Sequence, residues 1–167
     1  MAQFTKNPTS NVSPDPAQGG NAVTNPVNTG HDPTTISRVA VGTTTATCKW
    51  TGFAAVSGLI TSVQLKFDWS EDGIIAGGGT SFFRVQYSTD GGSGQTNVFS
   101  HANVNATNSG SSSVTLSNGV DLTQVQVRDT LSVTGGGVGN SAQLTGGVSN
   151  IRIEVTTSDG GGMVLML

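Results

Sequence analysis

No proline occurs after residue 33. The five in the chain, Pro8, Pro14, Pro16, Pro26 and Pro33, all lie in its opening stretch. Proline lacks the N–H that a β-ladder needs. Its confinement to one end therefore divides the 167 residues into a polar arm, 1–33, rich in Asn, Thr, Pro and Ser, and a body, 34–167, free to form sheet. Charge is scarce as well. Asp, Glu, Lys and Arg make up 10% of the chain, against the ~25% usual in soluble domains. The seven Lys and Arg are scattered singly and the formal net charge is −3. No basic stripe exists to track a phosphate backbone, so nucleic acid is not an expected partner. Nor is a membrane, since no apolar run approaches the ~20 residues that span a bilayer. The opening Met1-Ala2-Gln3-Phe4-Thr5 has no apolar signal-peptide core. Cys48 is the single cysteine, so no internal disulfide can form, and its strand-like surroundings read as those of a small buried apolar residue.

The body carries Gly, Ser, Thr, Asn and Val, the mixture of short strands joined by tight turns. The clearest strand is 59–69, where Val63, Leu65, Phe67 and Trp69 fall on one face and Ser62, Gln64, Lys66 and Asp68 on the other. That period of two marks a sheet with one buried face. Ser70-Glu71-Asp72-Gly73 reads as the turn that ends it. Phe83, Val85 and Tyr87 define a second strand over 81–88, and Ile151, Ile153 and Val155 another over 148–157. Asn118-Gly119, between 113–117 and 120–127, has the signature of a type I′ hairpin. The segments 105–112 and 135–147 read as a polar loop and a glycine-rich stretch. No helical period is sustained over 11 residues. Eight to ten strands with regular turn signals predict an all-β fold, a single β-sandwich of jelly-roll or immunoglobulin-like type. Met163, Leu165 and Leu167 end the chain in a run apolar on both faces. Such a strand must be covered on both sides, either inside the sandwich or against a neighbouring subunit.

Convergent chemistry is sparse. His31 and His101 are the only histidines, and there is no Gly-x-Ser-x-Gly nucleophile elbow. Gly137-Val138-Gly139-Asn140-Ser141-Ala142 fits a relaxed dinucleotide fingerprint in spelling. That motif works only at a strand-to-helix junction, and Thr145-Gly146-Gly147 cannot carry the helix. No cofactor and no catalytic group is expected. Asp68, Glu71 and Asp72 form the one acidic cluster; as a Ca²⁺ site they would offer oxygens from one loop, but a solvated turn is the stronger reading. Trp50, Trp69 and Tyr87 are candidate stacking platforms for a glycan. Trp69 and Tyr87 also continue the apolar faces of their strands, and only five other aromatics follow residue 49, so packing is the favoured role.

Low charge and abundant Ser, Thr, Asn and Gly suit an exposed surface, whereas a missing signal and a lone cysteine suit the cytoplasm. A virus particle, assembled in the cytoplasm and working outside it, satisfies both. Gly58-Leu59-Ile60-Thr61-Ser62-Val63-Gln64-Leu65-Lys66-Phe67 and the later Val85-Gln86-Tyr87-Ser88-Thr89-Asp90-Gly91-Gly92, with the Ile151-Arg152-Ile153-Glu154-Val155 strand, resemble tailed-phage virion β-sandwich proteins. The arm, by its design, resembles the N-terminal extensions of capsid decoration (cement) proteins. The resemblance implies a virion protein, oligomeric and here taken as a trimer, bound to the major capsid protein or other virion proteins. On that reading the arm clamps neighbouring subunits. Phe4, Val12, Val23 and Val27 would be its anchors, with Pro8, Pro14, Pro16, Pro26 and Pro33 limiting its unbound conformations. Fully extended, 33 residues reach about 110 Å. The alternative is a tail, neck or fibre component whose sandwich binds a carbohydrate or receptor.

Overall fold

Alternation turns these segments into strands with one dry face. In the computed structural model, which describes residues 1–158, Val63, Leu65 and Phe67 are fully interior while Gln64, Lys66 and Asp68 reach the surface. The strands are β1 (Ala2–Lys6), β2 (Ser10–Val12), β3 (Asn21–Ala22), β4 (Pro26–Val27), β5 (Gly30–His31), β6 (Thr34–Arg38), β7 (Gly42–Thr51), β8 (Leu59–Ala76), β9 (Thr80–Ser88), β10 (Thr96–Ala102) and β11 (Thr107–Leu116). A 3₁₀ turn, Leu122–Gln124, then leads to β12 (Gln126–Gly135) and β13 (Ser141–Ser158). One sheet has the order β1-β13-β8-β11, with β6 also on β13; the other has the order β10-β9-β12-β7-β2, with β3 also on β7. The expected β-sandwich is what forms. Its core joins Val63, Leu65, Ile151 and Ile153 of the first sheet to Phe83, Val85 and Leu131 of the second, all with essentially no exposure.

Three local expectations fail. Ser70-Glu71-Asp72-Gly73 is not a turn: β8 runs straight through it, paired to Gly147, Gly146, Thr145 and Leu144 of β13. Asn118-Gly119 does not close a hairpin, because β11 and β12 belong to different sheets and the chain crosses between them there. Neither residue takes the positive φ that a type I′ turn requires; Asn118 instead donates from Nδ2 to the Thr61 carbonyl, and Leu122 is buried. The supposed polar loop from 107 onward is β11, an edge strand in register with β8 from Thr107↔Asp72 to Leu116↔Val63. The fingerprint-like Gly137-Val138-Gly139-Asn140 forms the β12–β13 connection, with Gly137 and Asn140 bridged and φ values of +100° and +81° at the two glycines.

Residues 1–33 do not run as one extended arm: short strands alternate with turns, β4 and β5 pair with each other, and the other strands pair with the chain's own two sheets. β1 lines β13 from Ala2↔Thr157 to Lys6↔Ile153. β2 and β3 line β7, antiparallel and parallel respectively. The edges of β13 and β7 lie on one side of the sandwich, so the arm laces that side shut. Among the described residues, the other side, between β11 and β10, has no such lacing. Residues 159–167, and with them Met163, Leu165 and Leu167, lie outside the described residues.

Candidate functional site

Two buried charged side chains of the arm, Asp15 and His31, help anchor it. Between β2 and β3 it crosses the outer face of the second sheet, where Asp15 is completely buried. Its backbone N–H donates to Thr47 Oγ1 (2.9 Å), Lys49 Nζ lies 3.6 Å from Oδ1, and Arg128 Nε lies 2.6 Å from Oδ2. The Arg128 N–H is angled away from that oxygen, so the contact is an ion pair without a hydrogen bond. Further along, His31 turns into the interior. Its Nδ1 lies 2.6 Å from the Asp32 carbonyl oxygen and its Nε2 2.5 Å from Asp129 Oδ2. A carbonyl and a carboxylate only accept, so both ring nitrogens donate and the ring is an imidazolium. Burial alone would lower its pKa; the attraction of the Asp129 carboxylate and the hydrogen bond to it outweigh burial and hold it above the usual histidine value. The His31 ring stacks on Trp50 at 5.9 Å, and Trp50 donates from Nε1 to the Val27 carbonyl (3.0 Å).

This assembly offers no catalytic group. His31 has no lone pair left to act as a base. Cys48 donates its backbone N–H to Asp129 Oδ1 (3.0 Å), and its thiol is pushed up to about 12 by burial and by the Asp129 charge, so it stays protonated and unreactive.

The unlaced side carries a different arrangement. An open trough of about 710 Å³ lies between β8, β10 and β11 and is lined by Trp69, Glu71, His101, Asn103, Asn105 and Asn108, among others. Trp69 and Glu71 share the inward parity of Phe67, which carries them to the mouth of the core. A register shift between Asn97 and Phe99 in β10 re-aims the strand, as bulges do, and sets Phe99 and His101 opposite Val85 and Phe83. The rings then form a ladder out of the core: Phe83–Phe99 at 5.4 Å, Phe99–Trp69 at 5.1 Å, Phe99–His101 at 4.7 Å. Glu71 is buried, and its Oε1 accepts from His101 Nδ1 (2.9 Å) and Asn108 Nδ2 (3.1 Å). Its Oε2 has no donor. No side-chain hydroxyl among the described residues is hydrogen-bonded to His101 Nε2.

Gly73 makes the trough's wall possible. A Cβ there would overlap the Val104 carbonyl oxygen, so only glycine lets the 103–105 segment press onto β8, where Asn105 Oδ1 accepts from Ile75 N (3.0 Å). Gly73→Ala should therefore destabilise the fold by about 1–3 kcal/mol and shift Trp69 fluorescence; an unchanged melting curve and spectrum would show that the segment yields freely.

The sequence candidates scatter. Trp50 is fully buried and unavailable to a ligand, whereas Trp69 and Tyr87 are half-buried, Tyr87 beside a polar cleft of about 560 Å³ with Asp90 and Asp121. Asp68 and Asp72 sit on the outer face of β8 and Glu71 on the inner one, so the three carboxylates do not meet. Asp68 accepts from Ser111 Oγ and Asn150 Nδ2, which hold its carboxyl below the usual range, and Asp72 accepts from Thr107. No group of three or more His, Cys, Asp or Glu able to hold a metal occurs among the described residues. Of the arm's apolar residues Val23 is buried, while Phe4, Val12 and Val27 are 38%, 41% and 56% exposed; Pro8 is buried and Pro14, Pro16, Pro26 and Pro33 are exposed. His101, Asn103, Asn105 and Asn108 escaped the sequence reading, since only the strand register brings them together. In sequence the chain matches no known family model and no curated protein.

Proposed function

We propose that the chain is a structural protein of a phage particle, a decoration subunit that binds the shell and its neighbours through the outer surface of its arm. The observation that supports this most directly is the exposure of Phe4, Val12 and Val27 on an arm otherwise tied down by Asp15, His31 and two-sided strand pairing. An arm fixed in advance presents apolar side chains without a further ordering cost at the moment of binding. The arm's role is then presentation in place: it meets a neighbour as part of a finished surface.

The reading is tested on purified particles of the phage that encodes the chain. Labelled protein should cover the shell. The Phe4→Ser/Val12→Ser/Val27→Ser variant, changed only at exposed positions and so expected to fold within about 0.5 kcal/mol per site of the parent, should lose most of its occupancy. Label confined to one vertex or to the tail, or full occupancy by the triple variant, would overturn it.

A further inference from the structure

We infer that the trough on the unlaced side of the sandwich binds a neutral saccharide, with Glu71, Asn108, Asn105 and His101 addressing its hydroxyls and Trp69 its apolar face. The inference does not depend on where a particle carries the chain.

Glu71 carries the case. It is 3% exposed and its Oε1 is fixed by two side chains from two other strands, yet its Oε2 is a buried acceptor without a donor. Such a group is costly to leave unmade; Oε2 itself has almost no surface, so a small turn of the Glu71 side chain, which lines the trough, is what brings it a hydroxyl or a bridging water from outside the fold. The rest of the inventory matches a polyol. Asn108 has spent one amide hydrogen on Glu71 and retains its carbonyl oxygen; Asn105 has spent its carbonyl oxygen on Ile75 N and retains its NH₂; His101 has spent Nδ1 and retains Nε2. Donors and acceptors are thus both left over in the trough, and a hydroxyl group is both at once. The half-buried Trp69, held by Phe99 and His101, supplies an apolar surface among them. About 710 Å³ falls within the ~300–1,000 Å³ of small-molecule sites.

Charge narrows the class. Among the described residues no Lys or Arg lines the trough, and Glu71 is its one carboxylate. Phosphates, sialic acids and uronic acids would meet an unpaired like charge. Neutral hexoses and N-acetylhexosamines would not.

The test uses the whole chain on an array of neutral and acidic glycans, with positives titrated by calorimetry. Binding to neutral glycans is expected. It should weaken roughly tenfold or more in Glu71→Gln, which keeps the side chain's shape but replaces a charged acceptor. It should be unchanged in Asp121→Asn, which alters the polar cleft at Tyr87. Should Glu71→Gln fold poorly, ligand-induced shifts of the Trp69 indole and Asn108 amide resonances in the parent chain locate the site. Absence of neutral-glycan binding at millimolar concentration, a preference for acidic glycans, or loss through Asp121→Asn in place of Glu71→Gln would each overturn the assignment. None of these outcomes bears on shell occupancy by the triple arm variant.

Discussion

Asp129→Ala is expected to lower the folding free energy by about 3–5 kcal/mol, the range for removing one member of a buried ion pair. The His31 side chain has no exposed surface and would keep its charge without a counter-ion. The Cys48 N–H would lose its acceptor in the same step. The pair as a whole need not be worth so much, because its own desolvation offsets most of its attraction. The double variant Asp129→Val/His31→Phe should accordingly recover a large part of the loss. Urea unfolding of the parent, Asp129→Val, His31→Phe and the double closes the cycle. A loss below about 1 kcal/mol for Asp129→Ala would mean that the His31 ring is neutral or escapes to solvent.

The same pair sets a pH dependence. The folded pKa of His31 lies above the ordinary 6.5. The folded chain therefore holds this proton more tightly than the unfolded one, and stability falls with rising pH between the two values. The contribution is complete below about pH 6.5 and is lost as pH climbs through the raised value. Cys48, raised from 9.0 to about 12, adds a decline of the same sign only where the unfolded thiol ionises, from about pH 8 upward, so the neutral range reports His31. Thermal melts should show the decline in the parent chain, and Asp129→Val/His31→Phe should flatten it.

How much of this was legible beforehand depends on the range of the interaction. The strands at 59–69, 81–88 and 148–157 could be read because each carries its own evidence: a side chain every second residue must face the core. Even Trp69 and Tyr87 could be placed as edge members of an apolar face. Ser70-Glu71-Asp72-Gly73 misled because its composition is that of a turn. What keeps it extended lies far away in the chain: His101 and Asn108 on Glu71, Thr107 on Asp72, and the Val104 carbonyl against Gly73. Asn118-Gly119 misled in the same manner, since no local signal says that the strands on either side enter different sheets. Proline content set residues 1–33 apart in composition, yet Val23 joins the core. It could not show that Asp15 and His31, single polar residues in a polar stretch, would end up under and between the sheets. The trough was illegible for the plainest reason: Glu71 lies 30 residues from His101 and 37 from Asn108, the two side chains it meets.

Trp50→Ala is expected to cost about 3–5 kcal/mol and to free the arm along with it. Trp50 has no exposed surface, stacks on the His31 ring and donates to the Val27 carbonyl, so it belongs at once to the core and to the arm's attachment. Trp50→Phe separates the two roles. It retains most of the apolar volume but leaves the Val27 carbonyl without its donor, an expected loss of about 1–3 kcal/mol if that oxygen stays buried and less if the arm swings out to water. Limited proteolysis distinguishes these outcomes: cleavage within residues 24–29 should appear in Trp50→Ala and, where the arm is released, in Trp50→Phe, with the body still folded by circular dichroism. If both variants lose stability equally and neither exposes the arm, Trp50 acts only as filler and the arm is held by His31, Asp15 and its strand pairing. If Trp50→Phe exposes the arm at little cost in stability, one indole hydrogen bond sets how firmly Val27 and its exposed neighbours are presented to a partner.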